Sequence, residues 1–383
     1  MTSREELTQR ASELVPLLRE RSELAEQQRG PLTQSIQDLQ AAELIRMAQP
    51  ERFGGLGLDF DSTFDIAVEL CRGCGSTAWC YSIWSSHNWI VGMFPEHAQQ
   101  DYWAKSPDTL SSSSFNPAGG MISTTKGGYQ VSGRWDFSSG CDPATWVMLI
   151  GNGPEGPLML LLPRQDYTID DTWFVSGLRG SGSKDIVVEN AFVPEYRTVS
   201  MKALGEASSP GRSVHDTPNN RVPLRSVLSF TLAAAVLGMA HGALDAFETN
   251  IKDQVSARSG MKLAESAGLQ IRIAESDAEV RAAQSLMKQD SREIFDRARR
   301  YELPSLNDQA RYRRDQAYIA KLSVQATNRL FEASGGRGLF EANALQRFHR
   351  DIHAASHHFS LAWDGVAQQF GKVRLGITDA LDL

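Results

Sequence analysis

The sequence predicts an α+β chain assembled as helices, then a small sheet, then a bundle of helices. Three observations carry this. Apolar residues recur at helical spacing up to about residue 108; a Ser/Gly/Pro-rich break then opens a series of short β-like blocks; and beyond residue 222 long helical patterns follow with no β-α-β alternation. The expected divisions are an N-terminal helical domain over 1–108, a central antiparallel, barrel-like β domain over 109–205 and a C-terminal four-helix bundle over 222–383.

In the first block Ser3 and Glu6 form a capping box ahead of Leu7, Ala11, Leu14, Val15 and Leu18, one apolar face of an amphipathic helix. Pro31 restarts the chain into a second helix carrying Ile36, Leu39, Leu44 and Ile45, which P-E-R-F-G-G-L-G at Pro50 to Gly57 breaks. A third helix runs from Asp61 to about Arg72. After Gly73 and Gly75, Ser76 is the expected cap of a fourth helix through Trp79, Trp84, Trp89 and Met93.

The second block reads as strands at Met121 to Thr125, Tyr129 to Phe137, Trp146 to Ile150, Leu158 to Leu162 and Ile186 to Glu189, with Gly127-Gly128 turning a hairpin. Glu206 to Pro223, polar and proline-containing, is expected to be the mobile connection. The third block predicts helices over Val227 to Lys252, Met261 to Leu286 extending towards Arg300, Asn307 to Ser334 and Ala344 to about Phe370.

Composition excludes several function classes. A net charge of −7 and a pI near 5.7 leave no electrostatic footprint for nucleic acid, and the basic runs Arg297 to Arg300 and Arg311 to Arg314 are mixed with acids in helical segments. No apolar stretch is read as a membrane span and no signal peptide is read, so the cytoplasm is the expected compartment. Four cysteines are too few and unevenly placed for a disulfide framework, and C-x-x-C at Cys71 and Cys74 lacks a second ligand pair for zinc. Neither a Rossmann fingerprint following a strand nor a P-loop is present.

The stretch R-W-D-F-S-S-G-C-D-P-A-T-W, Arg134 to Trp146, couples a β run to the adjacent hydroxyls of Ser138 and Ser139 and a glycine turn at Gly140. It reads either as a hydroxyl-bearing ligand edge or as an ordinary hairpin turn. His87, in S-S-H-N-W beside Trp84 and Trp89, is either a satisfied core histidine or a base facing a cavity. Ser111 to Ser114 with Phe115 suits a domain junction or an aromatic ligand. His349, His353 and His357 stand at i, i+4 and i+8 with His358 adjoining, but no matching carboxylate motif accompanies them. An acid–base role is therefore favoured over a metal site. Gly335-Gly336-Arg337-Gly338 can approach a phosphate or simply turn the chain.

Taken together, S-F-N-P-A-G-G at Ser114 to Gly120, W-D-F-S-S-G at Trp135 to Gly140, G-L-R-G-S-G-S at Gly177 to Ser183, F-V-P at Phe192 to Pro194, G-G-R-G and Q-R-F-H-R-D at Gln346 to Asp351 resemble the acyl-CoA dehydrogenase superfamily over nearly the whole chain. The dehydrogenases' Y-E-G-T after the R-D motif is replaced by a histidine-rich segment. With G-S-T-A-W, S-S-H-N-W and W-D-F-S-S-G-C-D, the chain is more similar to the two-component flavin-dependent monooxygenases, the phenol, steroid-ring and indole hydroxylases. That resemblance implies reduced FAD or FMN delivered by a separate NAD(P)H:flavin reductase, a small aromatic substrate, no metal, and a homotetramer. It places Ser138 near the flavin N5 and its hydroperoxide, with Trp135 and Phe137 as backbone and wall. His87, Ser113 and His353 become catalytic polar groups, with Trp84 and Phe115 lining the substrate, and Arg272 and Gly336 meet the flavin, Arg272 from a neighbouring subunit. The competing expectation is an acyl-CoA dehydrogenase with bound FAD and its base relocated to a carboxylate such as Asp364.

Overall fold

A computed structural model describes residues 2–255, 260 and 262–381. The chain begins with α1 (Arg4–Gln28), α2 (Thr33–Ala41), α3 (Ser62–Cys71), α4 (Gly75–Val91) and α5 (Glu96–Trp103). Strands follow: β1 (Ser111–Ser114), β2 (Gly120–Thr125), β3 (Gly128–Ser138), β4 (Trp146–Gly153), β5 (Gly156–Pro163), β6 (Thr168–Asp170), β7 (Lys184–Pro194) and β8 (Thr198–Ser200). The rest is helical: α6 (Met201–Gly205), α7 (Leu224–Val227), α8 (Ser229–Lys252), α9 (Ala267–Arg299), α10 (Leu306–Ala333), α11 (Ala344–Ser356) and α12 (Trp363–Arg374).

The capping box forms as read, with the Ser3 hydroxyl accepting from Glu6 N and the Glu6 carboxylate accepting from Ser3 N. Four expectations are corrected. The second helix stops at Ala41 because Glu43 turns left-handed at φ 61°, so Leu44 and Ile45 are buried from a turn. Ser76 sits inside α4, and Cys74 holds the cap position without a side-chain bond. The last long helix is split, because His357 ends α11 and His358 caps a short 3-10 turn at Phe359–Leu361; His349, His353 and His357 still follow one another along α11, and only His358 leaves the row. The 206–223 connection is packed rather than loose: Asn219 accepts from Phe60 N and Trp89 Nε1 and donates to the Leu58 carbonyl. The expected start of the second bundle helix at Met261 lies outside the described residues.

The sheet is mixed rather than antiparallel. Its order is β6-β7-β3-β2-β4-β5-β8, with β1 pairing β4 in parallel and β2 meeting β4 in parallel at Met121 and Asn152. Period-two alternation then separates two faces. Trp146, Met148, Ile150, Met159 and Leu161 join the helical core, while Val147, Leu149, Leu160, Leu162, Val131 and Trp135 form a second core within the sheet. The register Ser111↔Trp146 and Ser113↔Met148 places Ser111 and Ser113 on the helical face.

Helices before and after the sheet share one apolar core, since residues of α1 to α5 and of α8 to α11 belong to a single cluster. Its centre is α8. The segment Leu224–Lys252 is long and apolar enough to span a membrane, contrary to the sequence reading, but 89% of its most apolar window is buried inside the protein. Gly238 lets it approach α3, where an added Cβ would fall 2.4 Å from the Val68 carbonyl.

Candidate active site

Sequence places the site where β3 ends, and the structure explains how that end is held. A bulge between Trp135 and Ser138 puts Phe137 at φ 61° and leaves its ring 66% exposed, while Ser138 turns inward and is fully buried. Gly140 follows at φ 65°; a Cβ there would meet the Trp84 indole at 2.7 Å, so the position demands glycine on both counts. Two tryptophans of α4 clasp the turn. Trp79 Nε1 donates to Ser139 Oγ at 3.0 Å and Trp84 Nε1 to the Gly140 carbonyl at 3.2 Å. From the other side Ser139 Oγ meets Ser183 Oγ at 2.7 Å, Ser183 meets Ser181 Oγ at 2.8 Å, and Gly140 N donates to the Ser181 carbonyl.

The G-L-R-G-S-G-S and R-D motifs are two halves of one clamp. The Asp351 carboxylate accepts from Leu178 N at 2.7 Å, Arg350 donates to the Ser176 carbonyl, and a Cβ on Gly177 would fall 2.1 Å from the Arg350 carbonyl. Burial raises the Asp351 carboxyl to about 7 despite that bond. The clamp fixes 177–183, and 181–183 fix the Ser139 turn.

Against this satisfied framework one hydroxyl stands apart. Ser138 Oγ is buried and has no hydrogen-bond partner, which costs free energy unless a ligand supplies one. A donor or acceptor on a flavin edge would satisfy that hydroxyl, with Phe137 as an apolar flank beside Trp173, whose ring lies 6.2 Å away. The Trp135 side chain does not take part as a wall. It lies in the sheet core and donates to the Ile150 carbonyl at 2.9 Å, under Gly119, Gly120 and Gly133, so only its backbone belongs to the site.

The helix packed on this turn is α4. Every residue of that helix is buried except Ile83, which is half-exposed and flanked one turn away by Trp79 and His87. His87 Nδ1 lies 2.6 Å from the Ser111 carbonyl, which only accepts, so the neutral ring carries its proton on Nδ1 and presents Nε2 as an acceptor. Burial pulls this histidine down to about 4, with the Ser111 bond opposing. Phe115 stands 6.1 Å from the ring, and half-buried Ser113 has no side-chain hydrogen bond among the described residues. His87, Ser113 and Phe115 are therefore brought together as the sequence anticipated, whereas Trp84 is committed to packing under Gly140.

Of the C-terminal histidines, the expected one, His353, does not stand nearest the Ser139 turn. His353 Nε2 lies 2.7 Å from Asn328 Oδ1 within the bundle. His358 is the one whose ring meets Trp79, at 6.1 Å edge-on, beside the Ser139 turn. Its Nδ1 accepts from Ser360 N at 3.3 Å, which puts the proton of the neutral ring on Nε2; burial and the Arg313 charge hold it at about 4. Sequence reasoning passed over His358 because helical spacing was extended through a break; H-x-S ahead of an apolar residue was the available capping signal. Arg272 is exposed and pairs weakly with Glu275 at 3.7 Å, and Gly336 is exposed on a 3-10 turn with open space around it, so neither is brought to Ser138 within one protomer. Asp364 is exposed at the start of α12.

Comparison with known proteins shows the family of the chain. Residues 4–106 match the acyl-CoA dehydrogenase N-terminal domain and residues 230–363 the acyl-CoA dehydrogenase C-terminal domain. The oxygenase subunit HsaA of a flavin-dependent monooxygenase from Rhodococcus jostii (strain RHA1) is 35% identical over 382 residues, covering 97% of this chain and all of that one. The chain belongs to the flavin-dependent monooxygenase oxygenase components. The oxygenase is also 32% identical to the oxygenase component of the FADH(2)-dependent resorcinol hydroxylase of Rhizobium sp. (strain MTP-10005), over 97% of this chain and 94% of that one. The crystal structure of the 3-HSA hydroxylase from Rhodococcus sp. RHA1 superposes with a TM-score of 0.94 at 34% identity, covering 98% of each chain. The oxygenase is thus a flavin-dependent enzyme that hydroxylates an aromatic compound with a reductase as separate component, and the acyl-CoA dehydrogenase alternative is set aside.

Proposed function

We propose that the substrate is a phenol or indole-type ring seated between the Ser138 turn and α4, with His87 and His358 at its two ends. Trp79 and His87 are eight residues apart on α4, or about 12 Å at helical rise, the length of a small aromatic compound with one substituent. The observation that carries this reading is the buried Ser138 hydroxyl, which has no hydrogen-bond partner although the Ser139 and Ser183 hydroxyls of the same turn framework are bonded.

The two histidines divide the work by tautomer. His87, neutral above about 4, offers Nε2 to accept the proton of a phenolic O–H or ring N–H, which raises ring electron density towards oxidation. His358 offers an Nε2–H to a developing or resident anionic oxygen. Ser113 and Phe115 orient the ring, and Trp79 and Trp84 hold the turn dry, which suppresses side reactions with water. Reduced flavin, FAD or FMN, supplies the activation of dioxygen when bound. Ser138 and the 137–139 backbone would hold its ring edge. Arg272 and the Gly336 turn, both exposed, would reach the flavin of a neighbouring copy in a homotetramer.

Replacing His358 tests the assignment against His353. Loss of hydroxylation in His358→Ala with hydroxylation kept in His353→Ala is the expected outcome of assays with chemically reduced flavin; the reverse pattern overturns it.

A further inference from the structure

Arg313 of α10 is embedded in the protein without a counter-ion among the described residues. Its Nη1 donates to Ser229 Oγ at 2.7 Å and Gln316 Oε1 at 2.8 Å, and its Nη2 to the Ser360 carbonyl at 3.3 Å. All three acceptors are neutral. Arg225 stands close enough for the two charges to repel, and it donates to the Leu381 carbonyl, again neutral. Burial and the Arg225 charge pull Arg313 down to about 10. Other embedded arginines are matched, Arg347 by Glu26 and Arg329 by Glu279. An interior cation without an anion is costly, and two side by side more so.

The place of this pair is informative. Ser360, whose carbonyl takes the Arg313 bond, also meets His358 Nδ1 through its hydroxyl at 2.8 Å. His358 meets Trp79, and Trp79 donates to Ser139. Arg313 and His358 are each half-buried, so part of each side chain stays accessible. Three of the five guanidinium N–H groups are used, leaving Nε–H and one Nη2–H for a further acceptor.

We propose that Arg313, with Arg225 behind it, forms an anion-recognising end of the substrate pocket and takes a carboxylate carried on the aromatic compound. This rests on the aromatic-substrate reading above. A planar carboxylate suits the two remaining N–H groups, and binding it supplies the missing counter-ion.

The test compares three phenolic acids, 4-hydroxybenzoate, 4-hydroxyphenylacetate and 3-(4-hydroxyphenyl)propanoate, with 4-methyl-, 4-ethyl- and 4-propylphenol. Affinity is measured by equilibrium dialysis with flavin present, and product is measured with chemically reduced flavin. At least one acid is expected to bind about ten- to a hundredfold more tightly than its neutral counterpart in the wild-type enzyme. That preference is expected to collapse in Arg313→Gln and to survive partly in Arg313→Lys. Neutral phenols bound as tightly as every acid by the wild type would overturn the proposal without any variant, as would an Arg313→Gln loss shared equally by acids and neutral phenols, the mark of a purely structural clamp. Weakened FMN with unchanged riboflavin binding in Arg313→Gln would assign the charge to the flavin phosphate instead and equally overturn it. If none of the six compounds is hydroxylated, the aromatic reading itself falls; if neutral phenols are hydroxylated without any acid being preferred, only the anion site falls.

Discussion

Ser138→Ala is expected to make the ligand-free protein more stable while impairing the enzyme. The hydroxyl is fully buried and unbonded, and an unsatisfied buried hydroxyl costs about 1–3 kcal/mol. Removing one oxygen leaves a void too small to offset that, so a gain of roughly 1 kcal/mol is expected in urea unfolding of the ligand-free chain. Ser139→Ala is the matched control with the opposite sign. It strands the buried Trp79 indole N–H, while Ser183 keeps Ser181 Oγ as its partner, and is expected to lose about 1–3 kcal/mol. Unfolding followed by tryptophan fluorescence, with and without flavin, reads both effects; flavin should stabilise Ser138→Ala less than it stabilises wild type. If Ser138→Ala destabilises the ligand-free protein as much as Ser139→Ala does, its hydroxyl is a structural group and the reasoning fails.

Two further outcomes follow from the same geometry. Gly140→Ala combines a left-handed backbone with a contact 2.7 Å from the Trp84 indole and is expected to cost about 2–5 kcal/mol, read as a lowered unfolding midpoint; a change below about 0.5 kcal/mol would show that the turn can move freely. His87, lowered from 6.5 to about 4, lets the unfolded chain bind a proton that the folded one refuses, so its share of stability is fully present above about pH 6.5 and lost as pH falls towards 4. That interval corresponds to about 3 kcal/mol, and His87→Gln should flatten the stability profile there; an unchanged acid limb would contradict the buried neutral imidazole.

Local signals were legible where local chemistry decides the outcome. The Ser3–Glu6 box and the Ser138-Ser139-Gly140 turn form where residue type alone points, and the hairpin forms one residue before the expected Gly127-Gly128, at Lys126-Gly127, because Gly128 already pairs with Thr125. Ser111 to Ser114 was not legible as a strand, because serine has little β preference and β1 exists only by pairing with β4. Nor was the break at His357, where no proline or glycine intervenes and the His358–Ser360 cap ends the helix instead. The 206–223 segment reads as polar linker in composition, yet Asn219 alone satisfies three groups of the N-terminal block. For His87 with Ser113 and Phe115 composition leaves core and site readings open, and only the family resemblance groups them; His358 and Arg313 emerge only when α4, α10 and the 359–361 turn are seen together.

The central claim, that oxygen is delivered to an aromatic ring at the Ser138 turn, is tested most directly with labelled dioxygen. Wild-type protein, chemically reduced flavin, a converted phenol and 18O2 should yield product carrying one labelled oxygen, while Ser138→Ala should divert most of the reduced flavin to hydrogen peroxide. Unlabelled product, or labelled product formed equally well by Ser138→Ala, would contradict it.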